Sequence, residues 1–398
     1  MFNMKIAFLT AGGLAPCLSS SIGALMKEYH SKAPEAELIG YLNGYRGLLL
    51  GKSITFPTNA HEYAGVLMSY GGSLIGNSRV KLTNAENCIE NGYIREGESP
   101  IAVAAEQLAK DGVDILHTIG GDDTNTMAAV LLKYLSENDY GLTVVGLPKT
   151  VDNDVFPIAR SLGADTAAEQ GAIFFENVAN ENTTSTRQLI IHEVMGRHCG
   201  WLTAATARKY RERLDSKSFV DSMLISRDRW DVDAVYIPEE EIDFEAECDR
   251  LIKRMDDKDG VNIFLSEGAG INTIIKDMES ANEEVPRDAF GHVRLDEINP
   301  GKWFANKFKE KLKADKVLIQ KSGYFARSAA PNQFDIDLII RSAALASDVA
   351  LEGKSGVAGL DEDHGNKMSL IDFVRIKGGK PFDTSKDWYQ QLKQDINQ

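Results

Sequence analysis

Six short apolar runs constrain what this chain can fold into more than any other feature: Ile6–Thr10, Val113–Ile119, Leu142–Leu147, Gln188–Val194, Val261–Ser266 and Val317–Gln320. Each is followed within two residues by glycine, proline or a charged side chain. Apolar runs without polar alternation suit strands covered on both faces, as in parallel sheets. Between them lie stretches with helical spacing: Ile101–Lys110, Thr124–Leu135, Asp165–Val178, Trp303–Leu312 and Asp335–Leu351. Strand then helix, repeated, predicts an α/β architecture, and the absence of a Pro/Ser-rich linker leaves its lobes joined by ordinary loops.

At roughly 150 residues per domain, 398 residues make two or three domains, each able to bury a core. Lys+Arg 44 against Asp+Glu 59 gives −15. That field opposes extended polyanions, so neither a nucleic acid nor an anionic membrane is an expected partner. No apolar window approaches a membrane span, and the N-terminal residues lack a secretory pattern. Cys17, Cys88, Cys199 and Cys248 have no CxxC spacing and read as reduced thiols, which together predict a cytoplasmic protein. The acidic stretches 238–249 and 277–288 read as solvated surface.

In open parallel sheets ligands bind beyond the carboxyl ends of the strands. Those ends carry Gly12-Gly13, then Gly120-Gly121-Asp122-Asp123, then Lys149-Thr150-Val151-Asp152-Asn153-Asp154, then Met195-Gly196-Arg197, then Glu267-Gly268. Gly12-Gly13 at a strand-to-helix turn is either a tight structural turn or a place where backbone amides approach an anion. GxGxxG is absent, which argues against a nicotinamide dehydrogenase. Gly47–Ser53 imitates a phosphate-binding loop but is one residue short, and reads as a loop. Asp122 and Asp123 either cap the next helix or, as adjacent carboxylates, await a hard cation such as Mg²⁺. Asp152 and Asp154, at i and i+2, point the same way if the stretch is extended, so that one can act as base beside the other. Carboxylates, a cation and an ammonium at strand ends suit phosphoryl transfer.

Taken in order, GGxAP from Gly12, GGDD from Gly120, PKTVDND from Pro148, EVMGR from Glu193, SEG from Ser266 and GYFAR from Gly323 resemble the phosphofructokinase family. The run Gly323–Leu338 is similar to it too. The resemblance implies two Rossmann-like lobes with mostly parallel sheets flanked by helices. One, 1–163 plus about 330–365, would bind the phosphoryl donor and Mg²⁺; the other, 164–329 plus about 366–398, would bind sugar phosphate. ATP-using members normally have glycine at the positions of Asp123 and Lys149, so this pair matches the pyrophosphate-dependent members. By the same resemblance Asp122 holds Mg²⁺, and Gly12, Gly13, Gly121 and Arg79 receive the donor. Asp123 stands where a nucleotide's α-phosphate would lie, and Lys149 neutralises pyrophosphate. Asp152 takes the proton of the 1-hydroxyl of fructose 6-phosphate, supported by Asp154. Thr150, Met195, Gly196, Arg197, Glu267, Tyr324 and Arg327 match sugar-phosphate contacts, and Arg187 matches an arginine that reaches the sugar across a subunit interface of a homodimer or homotetramer.

Leu14 and Cys17 depart from the Asp and Gly usual in ATP-type members, in keeping with a different donor. Cys199 and His198, beside the proposed sugar contacts, read as packing and wall residues. Two rival readings stay open: an ATP-dependent phosphofructokinase, and a non-catalytic sugar-phosphate sensor on the same fold.

Overall fold

All six apolar runs become strands of two sheets. The computed structural model describes residues 4–286 and 294–398. Its strands are β1 (Lys5–Thr10), β2 (Glu37–Tyr41), β3 (Ser53–Thr55), β4 (Ile115–Gly120), β5 (Thr143–Pro148), β6 (Gln188–Val194), β7 (Ala234–Tyr236), β8 (Gly260–Ser266), β9 (Lys316–Lys321), β10 (Gly356–Asp361) and β11 (Lys367–Ile371). The chain divides into one unit of Met1–Thr166 and Arg327–Lys380 and another of Ala167–Ala326 and Pro381–Gln398. Residues 366–380, expected in the second lobe, therefore belong to the first. The reason is β11, which pairs antiparallel with β10 and carries the following segment with it.

The first unit's sheet runs β11-β10-β5-β4-β1-β2-β3. Its inner pairs are parallel and only the edge strands β3 and β11 are antiparallel. Register sets Thr10 opposite Ile119 and Gly120 opposite Pro148, so the loops after β1, β4 and β5 leave the sheet side by side. Helices Leu18–Lys32 and Gln333–Leu351 pack together, as do Pro100–Asp111 and Asp122–Glu137. Ala7, Leu9, Leu116, Val144 and Leu131 lie in its core.

The second unit's sheet, β7-β8-β6-β9, is parallel throughout. Val194 stands opposite Ser266 and Glu193 opposite Lys321, so the loops after β6, β8 and β9 also emerge together. Leu189, Ile263, Leu251, Phe304 and Phe308 fill its core. At the β7 edge, the Gln398 side chain accepts from Val235 N (2.9 Å) and donates to Val235 O (3.2 Å).

The acidic stretch 238–249 is more than surface. Asp243 caps helix Phe244–Lys258, and the Glu239 carboxylate accepts from Gly200 N (2.9 Å) and Phe382 N (2.7 Å). Helix Ile271–Ser280 covers the start of 277–288, whereas 287 and 288 lie outside the described residues. Gly47–Ser53 forms the end of a short helix, a turn and the first residue of β3. All four cysteines are buried, and none forms a disulfide.

Candidate active site

In the first unit the chain leaves β1 through Gly12, whose φ of +89° is costly for residues with a Cβ. Gly12 N donates to Ser78 O (2.9 Å) and Asn77 Nδ2 donates to Gly12 O, so the segment 76–79 runs alongside the glycine loop. A methyl group on Gly12 would come 3.1 Å from Lys149 Nζ, and one on Gly13 3.6 Å from Arg79 Nη2. Two cationic side chains thus flank the glycines, an arrangement that suits an anion.

Lys149 follows β5, with its N–H on Gly120 O (2.9 Å) and its Nζ donating to Gly13 O (2.5 Å). It is only 3% exposed. Burial, with Arg79 acting the same way and Asp154 and Asp122 opposing, brings its pKa down to about 8. The ammonium has been taken out of water and set against a backbone carbonyl, a costly arrangement that a bound polyanion would offset.

Helix Asp122–Glu137 begins on the two adjacent aspartates. Its N-cap position is Gly121, and no side chain caps it, so capping does not explain the pair. Asn125 Nδ2 holds the turn by donating to Gly120 O (3.1 Å) and Gly121 O (2.8 Å). In the first helical turn both carboxylates sit where the amide dipoles favour negative charge. Asp123 is exposed and pairs with Lys81 at 2.6 Å. Asp122 is half-buried; burial raises its pKa, the carboxylates of Asp123 and Asp154 add to the rise, and the Asp123 amide opposes it. A divalent cation would relieve that cost. Among the described residues no group of three His, Cys, Asp or Glu forms a metal cage. This donor set fits Mg²⁺, which takes one or two carboxylates and completes its sphere with water and phosphate oxygens.

The stretch 150–154 is not extended. Thr150 Oγ1 donates to Asp154 Oδ1 (3.0 Å) and accepts from Asp152 N (3.2 Å), closing a turn in which Asn153 has φ +56°. Asp152 and Asp154 therefore do not share one face of a strand, and Asp154 is held by Thr150. Asparagine tolerates the left-handed conformation, and its Oδ1 further accepts from Ser161 N (2.8 Å).

Sequence reasoning missed a strap over this turn. Phe156 N donates to Lys377 O (2.8 Å) and Lys377 N to Phe156 O (3.0 Å). Lys380 N donates to Asp154 O (2.8 Å), while Lys380 Nζ reaches Ile158 O (2.5 Å) and Glu362 Oε1 (2.9 Å). Gly378 faces Asp122 so closely that a Cβ there would overlap its carboxylate. The only advance signal was the Gly378-Gly379 pair.

In the second unit, β6 ends in Met195, Gly196 and Arg197. Gly196 has φ +132° and accepts at its carbonyl from Ser266 Oγ (2.5 Å). Glu267 N donates to Val194 O (3.0 Å), and Gly268 lies against the Arg197 backbone. Glu267 has a raised pKa from burial, lowered in part by Arg197 and raised further by Glu193. After β9, Gly323 packs against Met195, and the one-turn helix Gly323–Arg327 presents an exposed Tyr324 and, one turn on, Arg327. Met195, Gly196, Arg197, Glu267 and Tyr324 thus belong to one sheet edge. Arg197 and His198 are exposed and Cys199 is buried.

Arg187 is the exception. It precedes β6 at its amino end, about 26 Å from Met195 at the usual rise per residue. Its guanidinium donates to Lys313 O (3.0 Å) and Leu312 O (2.5 Å) and pairs with Asp256 (2.7 Å). Within this chain Arg187 anchors a turn and does not join the other sugar-phosphate candidates.

Residues 5–350 match the family model described as Phosphofructokinase. A pyrophosphate--fructose 6-phosphate 1-phosphotransferase of Methylomonas methanica is 57% identical over 394 residues, covering 99% of this chain and 96% of that protein. One of the same name from Propionibacterium freudenreichii subsp. shermanii is 54% identical, covering 99% and 98%. The crystal structure of a pyrophosphate-dependent phosphofructokinase from Nitrosospira multiformis superposes with a TM-score of 0.71 at 16% identity, over 99% of this chain and 90% of that one; this likeness concerns the fold. Matched by the family model over residues 5–350 and by relatives 57% and 54% identical along nearly its whole length, the chain belongs to the phosphofructokinase family.

Proposed function

We propose that this chain moves a phosphoryl group from pyrophosphate to the 1-hydroxyl of D-fructose 6-phosphate, giving fructose 1,6-bisphosphate and orthophosphate, reversibly and with Mg²⁺. The observation that carries the donor assignment is Lys149, a buried ammonium under Gly12 and Gly13, in a chain whose helix Asp122–Glu137 opens on Asp122-Asp123. The relatives that match over nearly the full chain carry the same activity in their names.

In this reading Gly12, Gly13, Gly121 and Arg79 hold pyrophosphate by backbone and guanidinium contacts, and Lys149 meets the charge on the leaving phosphate. The sugar's 1-oxygen attacks the terminal phosphorus, its proton passes to the Asp152 carboxylate, and the phosphorus–oxygen bond to the leaving phosphate breaks. Thr150 and Asp154 hold the turn that presents Asp152. Bound through Asp122, Mg²⁺ would neutralise phosphate oxygens. Met195, Gly196, Arg197, Glu267, Tyr324 and Arg327 bind the sugar phosphate; all of these but Arg327 belong to the second unit, while the donor contacts belong to the first. Asp123 disfavours ATP by placing a charge where an α-phosphate would lie. A homodimer or homotetramer in the cytoplasm completes the reading; among the described residues no helix is long and apolar enough to cross a membrane.

The test is a donor panel with fructose 6-phosphate and Mg²⁺. Bisphosphate formed from pyrophosphate and not from ATP is the expected result; formation from ATP alone overturns the donor assignment. Asp152→Asn should keep sugar-phosphate binding and lose turnover by roughly 10²–10⁴-fold, the usual worth of a general base. A wild-type protein that binds the sugar but turns over with no donor would be a sensor instead.

A further inference from the structure

We infer that Gly378 is a positioning residue for Asp122, and that the strap 377–380 sets the orientation in which that carboxylate meets Mg²⁺. This rests on the metal placement proposed above.

A Cβ built on Gly378 would overlap Asp122 Oδ2 and crowd its Cγ, so the strap backbone and the carboxylate are in direct contact. Asp122 cannot swing toward the strap, and the strap cannot move away, because it is fixed on both sides of the glycine. On one side Lys377 and Phe156 exchange two backbone hydrogen bonds. On the other, Lys380 donates its N–H to Asp154 O and its ammonium to Ile158 O and Glu362. The same strap therefore grips the Asp152–Asp154 turn and borders the carboxylate at the start of helix Asp122–Glu137. Gly379, with φ +72°, turns the chain between these anchors. An aspartate at a helix start alone would choose among rotamers; the absence of a Cβ at 378 leaves room for the one Asp122 adopts. The strap thus acts through Asp122 and touches no reacting atom in this scheme.

The inference is read by metal affinity. Mn²⁺ is titrated into the full chain with methylenediphosphonate, a non-hydrolysable pyrophosphate analogue, and free ion is followed by EPR. The Mg²⁺ concentration giving half-maximal activity is measured in parallel. Gly378→Ala should weaken Mn²⁺ binding about tenfold, the usual scale for loss of an outer-shell support, and raise the Mg²⁺ requirement by a similar factor. High Mg²⁺ should then restore most of kcat, as it should not in Asp122→Asn, while the dissociation constant for fructose 6-phosphate stays at its wild-type value. Lys380→Met, which frees one anchor, should shift Mn²⁺ affinity the same way by less. It carries the test if Gly378→Ala loses its cooperative unfolding transition. Wild-type Mn²⁺ affinity in the folded variant overturns the inference, and so does a wild-type protein that binds no Mn²⁺. A wild type that binds Mn²⁺ with the analogue but makes no bisphosphate from pyrophosphate overturns the proposed function alone, and the EPR comparison still decides the role of Gly378.

Discussion

Lys149 carries its charge where charge is expensive. Its pKa of about 8 against an ordinary 10.5 means that the folded chain holds fewer protons than the unfolded one between those values, so stability rises with pH across that window. Below it the buried ammonium is a standing cost, and Lys149→Met should stabilise the protein by about 1–3 kcal/mol in urea unfolding while abolishing turnover. In the proposed donor role activity has the opposite dependence, because pyrophosphate would be met by the ammonium form. We expect kcat/KM for pyrophosphate to fall as pH rises through about 8, and Lys149→Arg, always charged, to lose that alkaline limb. A pH profile flat to 9.5 in the wild type would remove Lys149 from donor binding. In its proposed role as a gate against ATP, Asp123 is weakened by being exposed and paired with Lys81. Two charges ~4 Å apart repel by about 1–4 kcal/mol between water and an intermediate dielectric. Asp123→Gly should therefore lower pyrophosphate turnover and admit ATP at a low rate in a coupled assay; unchanged donor preference would sink the gating role. At this scale the sequence was partly legible. Asn153 between two aspartates announced a left-handed residue that the extended reading overlooked. Arg187 was assigned by likeness alone, to a role across a subunit interface, and the strand beginning at Gln188 sets it away from the sugar-phosphate candidates of its own chain.

Among the elements, β4 and β6 each bury a histidine at the centre of a sheet. His117 meets the Tyr29 hydroxyl (2.6 Å) and Val145 O (3.1 Å), and His192 meets Ser322 Oγ (2.7 Å) among Phe174, Phe175 and Phe264. Burial lowers their pKa values to about 4 and about 3. The unfolded chain then binds more protons below 6.5, so the stability these groups contribute is lost as pH falls through that value. Asp335 works against this: burial raises it to about 6, despite hydrogen bonds from Thr166 and Gly163, and its contribution grows as pH falls from 6 to 3.8. Two histidines outweigh one carboxyl, and unfolding free energy should drop by about 3 kcal/mol between pH 7 and 4.5. In His192→Phe, which keeps an aromatic ring beside Phe175, that drop should shrink by about 2.5 kcal/mol, leaving well under about 1 kcal/mol in urea titrations. The strands holding these histidines were legible because both faces are covered and the runs are apolar. β7, β10 and β11 were not: β7 has three residues, β10 opens on glycine, and β11 mixes polar with apolar side chains. The 377–380 strap left still less trace, since most of its contacts are made by main-chain atoms that any residue possesses.

Over the whole molecule, a charge of −15 coexists with phosphate chemistry because the cations are gathered at strand ends, Arg79 and Lys149 in one unit and Arg197 with Lys321 in the other. Each unit is written in two separate stretches. A fragment of residues 1–166 lacks β10, β11 and helix Gln333–Leu351, leaving β5 as an unpaired apolar edge and helix Leu18–Lys32 uncovered. Expressed alone it should be aggregated or unfolded by circular dichroism and gel filtration; a monomer with cooperative unfolding would show that the sheet closes without its last two strands. The contact between Gly378 and Asp122 joins the two stretches at a single carboxylate. In heredity that contact is a linkage between distant codons. A crossover anywhere between them can pair one lineage's aspartate with another's strap, so recombinants that exchange the first stretch alone can inherit the aspartate without the glycine that makes room for it.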